Sequence, residues 1–309
     1  MELRHLRYFV TVAAERSFSR ASEKLNIAQP PLSRQIQQLE AELGVQLLHR
    51  GRPLTLTEPG RYFFEQARQV LQRTDAMGAM TRRIGTGKRR QFGIGFVEST
   101  LNEQLPELIR RFRLTAPNVE IVLLDLTTLE QTRALKEGRI DIGFGRLRYD
   151  DDAITRRVIR EEKLSVVTPH GHVLSRRKGP LKLKHTAGVP LILYPNAPRP
   201  SYADQVLLFY RNRGIEPNVA FEVRQVWTVL GLVAAGVGIA LVPSSVRRLG
   251  REDVEYLILD EPEISSPIIM SCRTNDSSPL LAHFLKLIDE FDQWTETDVS
   301  APRRKGARR

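Results

Sequence analysis

The chain has 309 residues and a formal net charge of +11, so it is strongly basic and long enough for two or three domains. Its single cysteine, Cys272, excludes an intrachain disulfide and a zinc site built from several thiolates. The positive charge lies at the two ends, because residues 1–90 carry +8 and residues 299–309 carry +5, whereas residues 91–298 carry −2. A basic first third is typical of contact with nucleic acid, although charge alone is equally compatible with a solvated basic surface.

The N-terminal residues predict an amphipathic helix. Leu3, Leu6, Phe9, Val10 and Ala13 recur at helical spacing and form one apolar stripe. Such a start is not the apolar core of a signal peptide, and no apolar run in the chain reaches the roughly 18 residues of a membrane span. We therefore expect a soluble protein of the cytoplasm that has no membrane partner.

Two further short helices, joined by a tight turn, are predicted next. Ser17 is expected to cap the first of them. The second opens with Gln29-Pro30-Pro31, because proline suits a first helical turn. This pair predicts a helix-turn-helix whose second helix reads DNA.

The predicted DNA-reading residues stand at the start of the recognition helix: Gln29, Pro30, Ser33 and Arg34. Arg34 can donate paired hydrogen bonds to guanine, Gln29 can pair with adenine, and Ser33 can donate to a phosphate or a base edge. Taken singly, Gln29 and Ser33 are equally well explained as capping residues.

A β-wing and a long helix are predicted after the recognition helix. Apolar and polar residues alternate in residues 49–57 around a Gly-Arg-Pro turn, which predicts a β-wing, and Pro59-Gly60 ends this stretch. Arg50 and Arg52 on the wing are expected to enter the minor groove. From about Tyr62 to Ile84, apolar positions recur along a helix too long for a small winged domain to cover. That excess predicts pairing with a second copy of the chain, and residues 85–90 are interpreted as a hinge.

From Phe92 onward, short apolar runs alternate with helical patterns, which predicts βαβ units and a mainly parallel sheet. The predicted strands lie at residues 94–97, 119–124, 140–144, 164–167, 190–193 and 239–242. Ligands of such sheets bind at the carboxyl ends of the strands.

The candidate effector-binding residues follow these strands: Ser99, Thr128, Arg146, Ser201 and Tyr202. Hydroxyls, backbone donors and one arginine suit a compact organic acid. The alternative is that the serines and threonines are ordinary helix caps.

The residue patterns of an enzyme are missing. The 6 histidines contain no pair at metal-ligand spacing, there is no Gly-x-Ser-x-Gly elbow, and Cys272 lacks a local nucleophile signature. We expect no catalytic residue, no metal and no cofactor. A solute-binding transport protein is also disfavoured, because it would carry an export signal and would have no use for a helix-turn-helix. An unspecific architectural DNA-binding protein is disfavoured because the near-neutral residues 91–298 would then have no explained role.

At its N-terminus the chain resembles the LysR-type transcriptional regulators. The resemblance is carried by residues 1–12, Ala28-Gln29-Pro30-Pro31-Leu32-Ser33-Arg34-Gln35-Ile36, Leu39-Glu40, Glu42-Leu43-Gly44 and Leu47-Leu48-His49-Arg50. Within that family the chain is most similar to the regulators of aromatic catabolism that sense benzoate and cis,cis-muconate. The supporting segments are Ile94-Gly95-Phe96-Val97, Ala134-Leu135-Lys136-Glu137-Gly138-Arg139-Ile140-Asp141, Gly143-Phe144-Gly145-Arg146, Leu193-Tyr194-Pro195 and Gly231-Leu232-Val233-Ala234-Ala235-Gly236.

The resemblance implies an α/β fold overall, with an all-α winged helix-turn-helix and a long dimerisation helix before a two-lobed effector domain like a periplasmic binding protein. The expected boundaries are 1–58 for DNA binding, 59–90 for the dimerisation helix and hinge, 91–298 for effector binding, and 299–309 for a disordered basic tail. The effector domain is expected to have one lobe at about 91–161 and 268–298, and a second at about 162–267.

The resemblance also implies the partners and sites. It implies promoter DNA, RNA polymerase, a small carboxylate effector and a dimer of dimers. The positions matching the family's muconate site are Ser99, Thr128, Arg146 and Tyr202. Arg160 and Glu162 match a second effector site, although a structural ion pair, with each other or with a neighbour, explains them better. The wing is one residue shorter than in close relatives, and Glu98 stands where glycine is expected; a carboxylate pointing into the pocket would repel a dianion.

Overall fold

The computed structural model describes residues 1–51, 53–87 and 89–290. Two compact units are present: Met1–Arg90 with Lys136–Arg139, and Gln91–Leu135 with the chain from Ile140 onward. The predicted wing contact Arg52 and the predicted basic tail at residues 299–309 lie outside the described residues. None of the helices in the described part of the chain has the length and apolar character needed to span a bilayer.

The first unit begins with the predicted three helices, α1 (Leu3–Glu15), α2 (Phe18–Leu25) and α3 (Gln29–Leu43). Ser17 caps α2 as expected, because its hydroxyl accepts a hydrogen bond from the backbone amide of Arg20. Asn26 then adopts a left-handed conformation with φ of 52°, which ends α2 within one residue and turns the chain into α3. The predicted helix-turn-helix is confirmed.

The apolar faces of these helices share one core with the wing. The buried members of that core are Phe9, Val12, Ala21, Leu32, Ile36, Leu39, Leu47, Leu48 and Leu54. The wing consists of the antiparallel strands β1 (Leu48–His49) and β2 (Thr55–Leu56). Its predicted position is therefore confirmed.

Helix α4 (Glu58–Gly85) starts about one turn before the start predicted from the sequence. The Thr57 hydroxyl caps it by accepting a hydrogen bond from the Gly60 amide at 2.9 Å, and Pro59 occupies the first turn. Gly60 packs against the backbone of Leu47, where an added Cβ would lie 1.9 Å from the carbonyl oxygen. Pro59-Gly60, which the sequence predicted to end the wing, thus also forms the first turn of this helix.

The described part of the second unit contains a seven-stranded mixed sheet, a separate two-stranded parallel sheet formed by its fifth and sixth strands, and several helices. Its strands are β3 (Arg90–Phe96), β4 (Val119–Asp125), β5 (Ile142–Gly145), β6 (Ile154–Pro169), β7 (Leu191–Leu193), β8 (Val219–Glu222), β9 (Ala240–Pro243), β10 (Val254–Ile258) and β11 (Ser265–Arg273). Its helices are α5 (Leu105–Thr115), α6 (Thr128–Lys136), α7 (Tyr202–Arg211), α8 (Val226–Ala234) and α9 (Pro279–Glu290).

The prediction of a mainly parallel sheet was wrong. The order of neighbouring strands is β10-β6-β11-β5-β3-β4, and β9 also pairs with β6. β3 and β5 are parallel, but β6 is antiparallel to β9, β10 and β11, and β11 is antiparallel to β5. The first part of β6 was missed because residues 154–163 are crowded with charges, which hide the alternation of a strand.

Two hydrophobic cores divide this unit into two lobes. The first lobe surrounds an aromatic cluster in which the ring centroids of Phe92 and Phe112 are 4.8 Å apart and those of Phe92 and Phe284 are 5.3 Å apart. The second lobe surrounds an aliphatic core that includes Leu164, Leu193, Val229 and Val242. The long strand β6 runs through both lobes.

Candidate effector cleft and DNA-contacting surface

A cavity of about 170 Å³ lies between the two lobes. The first lobe lines it with residues at 97–99, 125–128, 130 and 146–147, and the second lobe with residues at 194–195, 197, 200–202, 224–226 and 243. This size admits a small molecule and not a macromolecule. The lining includes all five residues predicted at the strand ends: Ser99, Thr128, Arg146, Ser201 and Tyr202.

Arg146 is buried and its charge is balanced within the protein. Its guanidinium donates to Glu162 Oε2 at 2.7 Å and to Ser99 Oγ at 2.7 Å, and the relative exposures of Arg146 and Glu162 are 3% and 0%. Glu162 accepts further hydrogen bonds from the Ser245 amide at 2.6 Å and the Ser244 hydroxyl at 3.3 Å. The positive charge that the sequence offered to an effector is therefore already paired.

The hydroxyls of Ser99 and Thr128 keep their own hydrogens available. Ser99 Oγ accepts from Arg146, and Thr128 Oγ1 accepts from the backbone amides of Arg146 at 3.3 Å and Leu147 at 3.5 Å. Neither hydroxyl donates to another atom of the described residues. Since a hydroxyl has one hydrogen to donate, both side chains offer a donor to a ligand in the cavity.

Thr128 is held against the sheet by a close approach of α6 to β5. A Cβ on Gly145 would lie 2.6 Å from Thr128 Oγ1 and 3.1 Å from its methyl group. Only glycine leaves room for the hydroxyl at this position.

Three hydroxyl-bearing residues of the second lobe line the cavity. Ser201 caps α7, and its hydroxyl donates a hydrogen bond to the Pro195 carbonyl at 3.0 Å. These contacts agree with the alternative that this serine is a helix cap. The Tyr202 hydroxyl donates to the Leu241 carbonyl at 3.3 Å. Tyr194 was not among the predicted site residues, and its buried hydroxyl has no hydrogen-bond partner within the described chain. Its place directly before Pro195, at the end of a strand, was the signal that could have identified it.

Carboxylates also line the cavity. Burial raises the pKa of Glu98, and repulsion from Asp125 adds to that effect. Burial likewise raises the pKa of Asp125, with Glu130 raising it further and Arg224 opposing the shift. Glu98 and Asp125 therefore line the cavity that the sequence assigned to an acid.

The candidate second site is occupied by structural ion pairs. Arg160 and Glu162 do not bind each other, because Arg160 pairs with Glu103 at 3.1 Å and Glu162 pairs with Arg146. Burial and the neighbouring Glu162 raise the pKa of Glu103, while Arg160 opposes that shift. Among the described residues no group of three or more His, Cys, Asp or Glu side chains is arranged to hold a metal ion.

The candidate DNA-contacting residues lie at the start of α3 and on the wing. Gln29, Pro30 and Arg34 are exposed and Ser33 is half-buried. Arg34 has no ion-pair partner within the described ranges, whereas Gln29 accepts a hydrogen bond from the Ser19 hydroxyl at 3.2 Å. Arg50 pairs with Glu40 at 3.1 Å, so it is not free in the way the sequence suggested.

Comparison with known proteins places both units in one family. The family model of the LysR substrate binding domain matches residues 85–292, and that of the bacterial regulatory helix-turn-helix proteins of the lysR family matches residues 3–61. The chain is 51% identical over 288 residues to the transcriptional regulator CatR of Pseudomonas putida, with 93% of this chain and 98% of CatR aligned. It is 45% identical over 293 residues to BenM of Acinetobacter baylyi, with 94% and 96% aligned.

Solved structures similar to this chain include two with a bound partner. The effector-binding domain of BenM with its effector benzoate matches 71% of this chain and 98% of that domain at 35% identity, with a TM-score of 0.63. Full-length CbnR in complex with its target DNA matches 94% of this chain and 99% of CbnR at 31% identity, also with a TM-score of 0.63. The protein therefore belongs to the LysR family of transcriptional regulators and is a regulator rather than an enzyme, with a helix-turn-helix domain followed by a LysR substrate binding domain.

Proposed function

We propose that this regulator controls promoter activity in response to a small organic acid, with cis,cis-muconate and benzoate as the first candidates. The observation that carries the proposal is the set of three hydroxyls, on Ser99, Thr128 and Tyr194, that line one cavity and donate no hydrogen bond to the described residues. A carboxylate accepts several hydrogen bonds and would satisfy these donors. Each such bond contributes about 1 kcal/mol, or up to about 3 kcal/mol when the acceptor is charged.

Arg146 acts in this proposal by orienting Ser99. Its guanidinium holds Ser99 Oγ as an acceptor, which directs the serine hydrogen elsewhere. A direct ion pair with the effector would require Arg146 to leave Glu162, and that would leave a buried carboxylate without its partner. Ser201 and Tyr202 shape the wall of the same site. Similarity to BenM supports the proposal that the effector is an acid, since benzoate is an effector of BenM.

The effector proposal is tested by calorimetry on the full chain with muconate and benzoate. Ser99→Ala and Thr128→Val should each weaken the binding of the acid about tenfold, as expected for the loss of one charged hydrogen bond. Ser175→Ala changes a hydroxyl whose hydrogen bond to the His172 carbonyl is remote from the cavity lining, and it is the matched control. Unchanged affinity in both site variants would reject the site.

We propose that the chain binds promoter DNA through Gln29, Pro30, Ser33 and Arg34 on α3, and through Arg50 and Arg52 on the wing. The support is the exposure of the first turn of α3 together with the similarity to CbnR, which is known in complex with its target DNA. Arg34→Ala should weaken operator binding by about 1–3 kcal/mol in a footprinting titration. The exposed Arg113 in the second unit offers a charge-matched control, Arg113→Ala, that should leave the footprint unchanged.

We propose that α4 pairs two copies and that the regulator acts in the cytoplasm as a dimer of dimers that contacts RNA polymerase. Four apolar side chains on α4 are exposed at intervals of seven or eight residues: Tyr62, Val70, Met77 and Ile84. A heptad-like interval keeps these residues on one face, as in a coiled coil. The working division of the chain remains 1–58, 59–90, 91–298 and 299–309, with the two lobes at the boundaries expected from the sequence.

We propose that Arg160 and Glu162 form structural ion pairs and do not bind a second effector. A second acid at this position would have to compete with Glu103 for Arg160 and with Arg146 for Glu162. Breaking either buried pair costs several kcal/mol, which a single carboxylate contact would have to offset.

A further inference from the structure

A short segment of the second lobe is strongly basic. Residues 170–190 contain five lysines and arginines and no aspartate or glutamate, although residues 91–298 as a whole carry a charge of −2. One of these cations, Arg176, lies over Gly171, where an added Cβ would be 3.6 Å from its guanidinium. The other four are exposed, and we call them the basic loop: Arg177, Lys178, Lys182 and Lys184. Their charge is a local concentration in a unit that is nearly neutral.

The backbone of the basic loop is held to the core of the second lobe. Leu174, Leu181 and Leu183 are buried in that core. The Leu181 carbonyl accepts a hydrogen bond from the Asp260 amide at 2.8 Å, and the Leu183 amide donates to the carboxylate of Glu261. Because these anchors stand before, between and beside the four cations, the cations extend into solvent from a fixed backbone.

Neighbouring acids do not balance the charge of the basic loop. None of its four side chains forms an ion pair with an acid of the described residues. Glu261 is attracted to Lys182, but it already pairs with Arg213 at 2.9 Å. Other arginines of this unit do have acidic partners, as Arg157 has in Asp289 and Arg273 in Asp141.

His185 shows that the positive charges act on one place. Its ring Nδ1 accepts a hydrogen bond from the Lys182 amide at 3.0 Å, which holds the ring beside the lysines. Burial lowers the pKa of His185, the charges of Arg177, Lys184 and Lys182 lower it further, and Glu261 opposes the shift. Arg177 and the two lysines therefore surround the same point, although they come from different parts of the segment.

Duplex DNA fits this surface better than a protein does. The centre of a protein interface is rich in apolar and aromatic side chains and poor in charged ones. Residues 170–190 contain no Phe, Tyr or Trp, and Val173 is the one large apolar side chain exposed there. The phosphates of DNA, in contrast, bind lysine and arginine through charge alone.

We propose that the basic loop is a second DNA-binding surface of this regulator, which contacts phosphates and does not read bases. The proposal rests on the DNA binding proposed for the helix-turn-helix, which brings a duplex to the protein. Phosphate contacts add affinity for every sequence alike and make binding more sensitive to salt. Sequence preference remains a property of α3.

Salt titrations of DNA binding by the full chain test the proposal. The test variant combines Arg177→Gln, Lys178→Gln, Lys182→Gln and Lys184→Gln. Each lost phosphate contact should reduce the slope of log K against log salt by about 0.9, so the loss of two contacts should reduce it by about 2 and weaken binding at least about tenfold at about 0.1 M salt. The weakening should be the same for an operator duplex and an unrelated duplex, whereas Arg34→Ala should weaken the operator most.

The matched control has the same change of net charge, spread over four helices. It combines four exposed positions on α5, α6, α7 and α9: Arg113→Gln, Arg133→Gln, Arg211→Gln and Lys286→Gln. Its slope should stay close to that of the parent. Equal slopes for the test and control variants would overturn the DNA-binding role of the basic loop. If the parent had no preference for the operator, the promoter proposal would fall, and the slopes on the unrelated duplex would still decide the basic loop.

Lysine acetylation of the parent protein, with and without operator duplex, tests the contact without any variant. Bound DNA should slow the acetylation of Lys178, Lys182 and Lys184 at least about threefold. Lys286, which pairs with Glu290 on α9, is the internal control and should react equally in both samples. Unchanged reactivity of all three lysines when DNA is bound would overturn the proposal and would favour an acidic protein surface as the partner.

Discussion

Arg146 has a different partner in the structure from the one that the sequence predicted. As an arginine at the end of a strand it indicates a contact with an anionic ligand. In the structure its anion is Glu162, which two further groups also hold: the hydroxyl of Ser244 and the amide of Ser245. The residue therefore stabilises the junction of the lobes and orients Ser99.

We expect Arg146→Ala to destabilise the second unit by about 3–5 kcal/mol, because it leaves Glu162 buried without a counter-charge. Arg146→Met combined with Glu162→Leu should recover most of that loss, since apolar residues of similar volume remove both charges. Urea denaturation followed by circular dichroism measures both effects. Arg251→Ala removes the exposed pair with Asp253 and should change the midpoint little. If Arg146→Ala were as stable as the parent, the stabilising role of Arg146 would be contradicted.

Asp125 provides a pH-dependent prediction at the residue scale. Its pKa is raised in the folded protein, so the folded state holds the proton more tightly than the unfolded state. The stability that this carboxyl contributes is present below the unfolded pKa and is lost as the pH rises through the folded pKa. Asn is neutral at every pH and avoids the loss.

Asp125→Asn should therefore raise the Tm at pH 7.5, and the difference from the parent should vanish below about pH 4, near the unfolded pKa of Asp. Differential scanning fluorimetry across this range measures it. The exposed control Glu216→Gln should show no such pH-dependent difference. A Tm difference for Asp125→Asn that grows towards low pH would have the wrong sign and would reject the explanation.

At the scale of elements, the contact of α6 with β5 determines where the Thr128 hydroxyl lies. We expect Gly145→Ala to weaken the binding of the acid about three- to tenfold, because the new Cβ would displace Thr128 Oγ1 from the amides of Arg146 and Leu147. Gly231→Ala, in α8, has no atom closer than 4.0 Å to its new Cβ and should leave the affinity unchanged. Titration calorimetry distinguishes the two. Equal affinities of the two variants would mean that the position of Thr128 does not matter for binding.

The elements that the sequence predicted correctly are those with a clear local pattern. α1 and α2 have one apolar face and a recognisable start or stop signal, and β1 and β2 alternate around a Gly-containing turn. β6 lacked such a signal because its charged side chains pair with distant elements, as Arg157 does with Asp289 and Arg160 with Glu103. Its direction against β11 follows from long-range pairing, which no local window contains.

At the scale of the whole molecule, α4 is expected to hold two copies together. Met77→Glu places a charge in the centre of the exposed apolar face and should lower the mass measured by analytical ultracentrifugation to that of a smaller assembly. Ala79→Glu adds the same charge two residues on, towards another face of the helix, and is the matched control. An unchanged mass for Met77→Glu would exclude this face as the interface.

The sequence by itself determined the helix-turn-helix, the long helix after it, the α/β class of the second unit and the residues that line the candidate effector cleft. These features follow from periodicity, from caps and from the positions of strand ends, which are local properties of the chain. Only the tertiary structure decided what the polar side chains in that cleft do. Ser99 meets Arg146 across 47 residues, and Glu162 meets the Ser245 amide across 83 residues. Whether a buried charge is paired or available to a ligand depends on its neighbours in space, and these contacts form only when the strands and lobes have packed together.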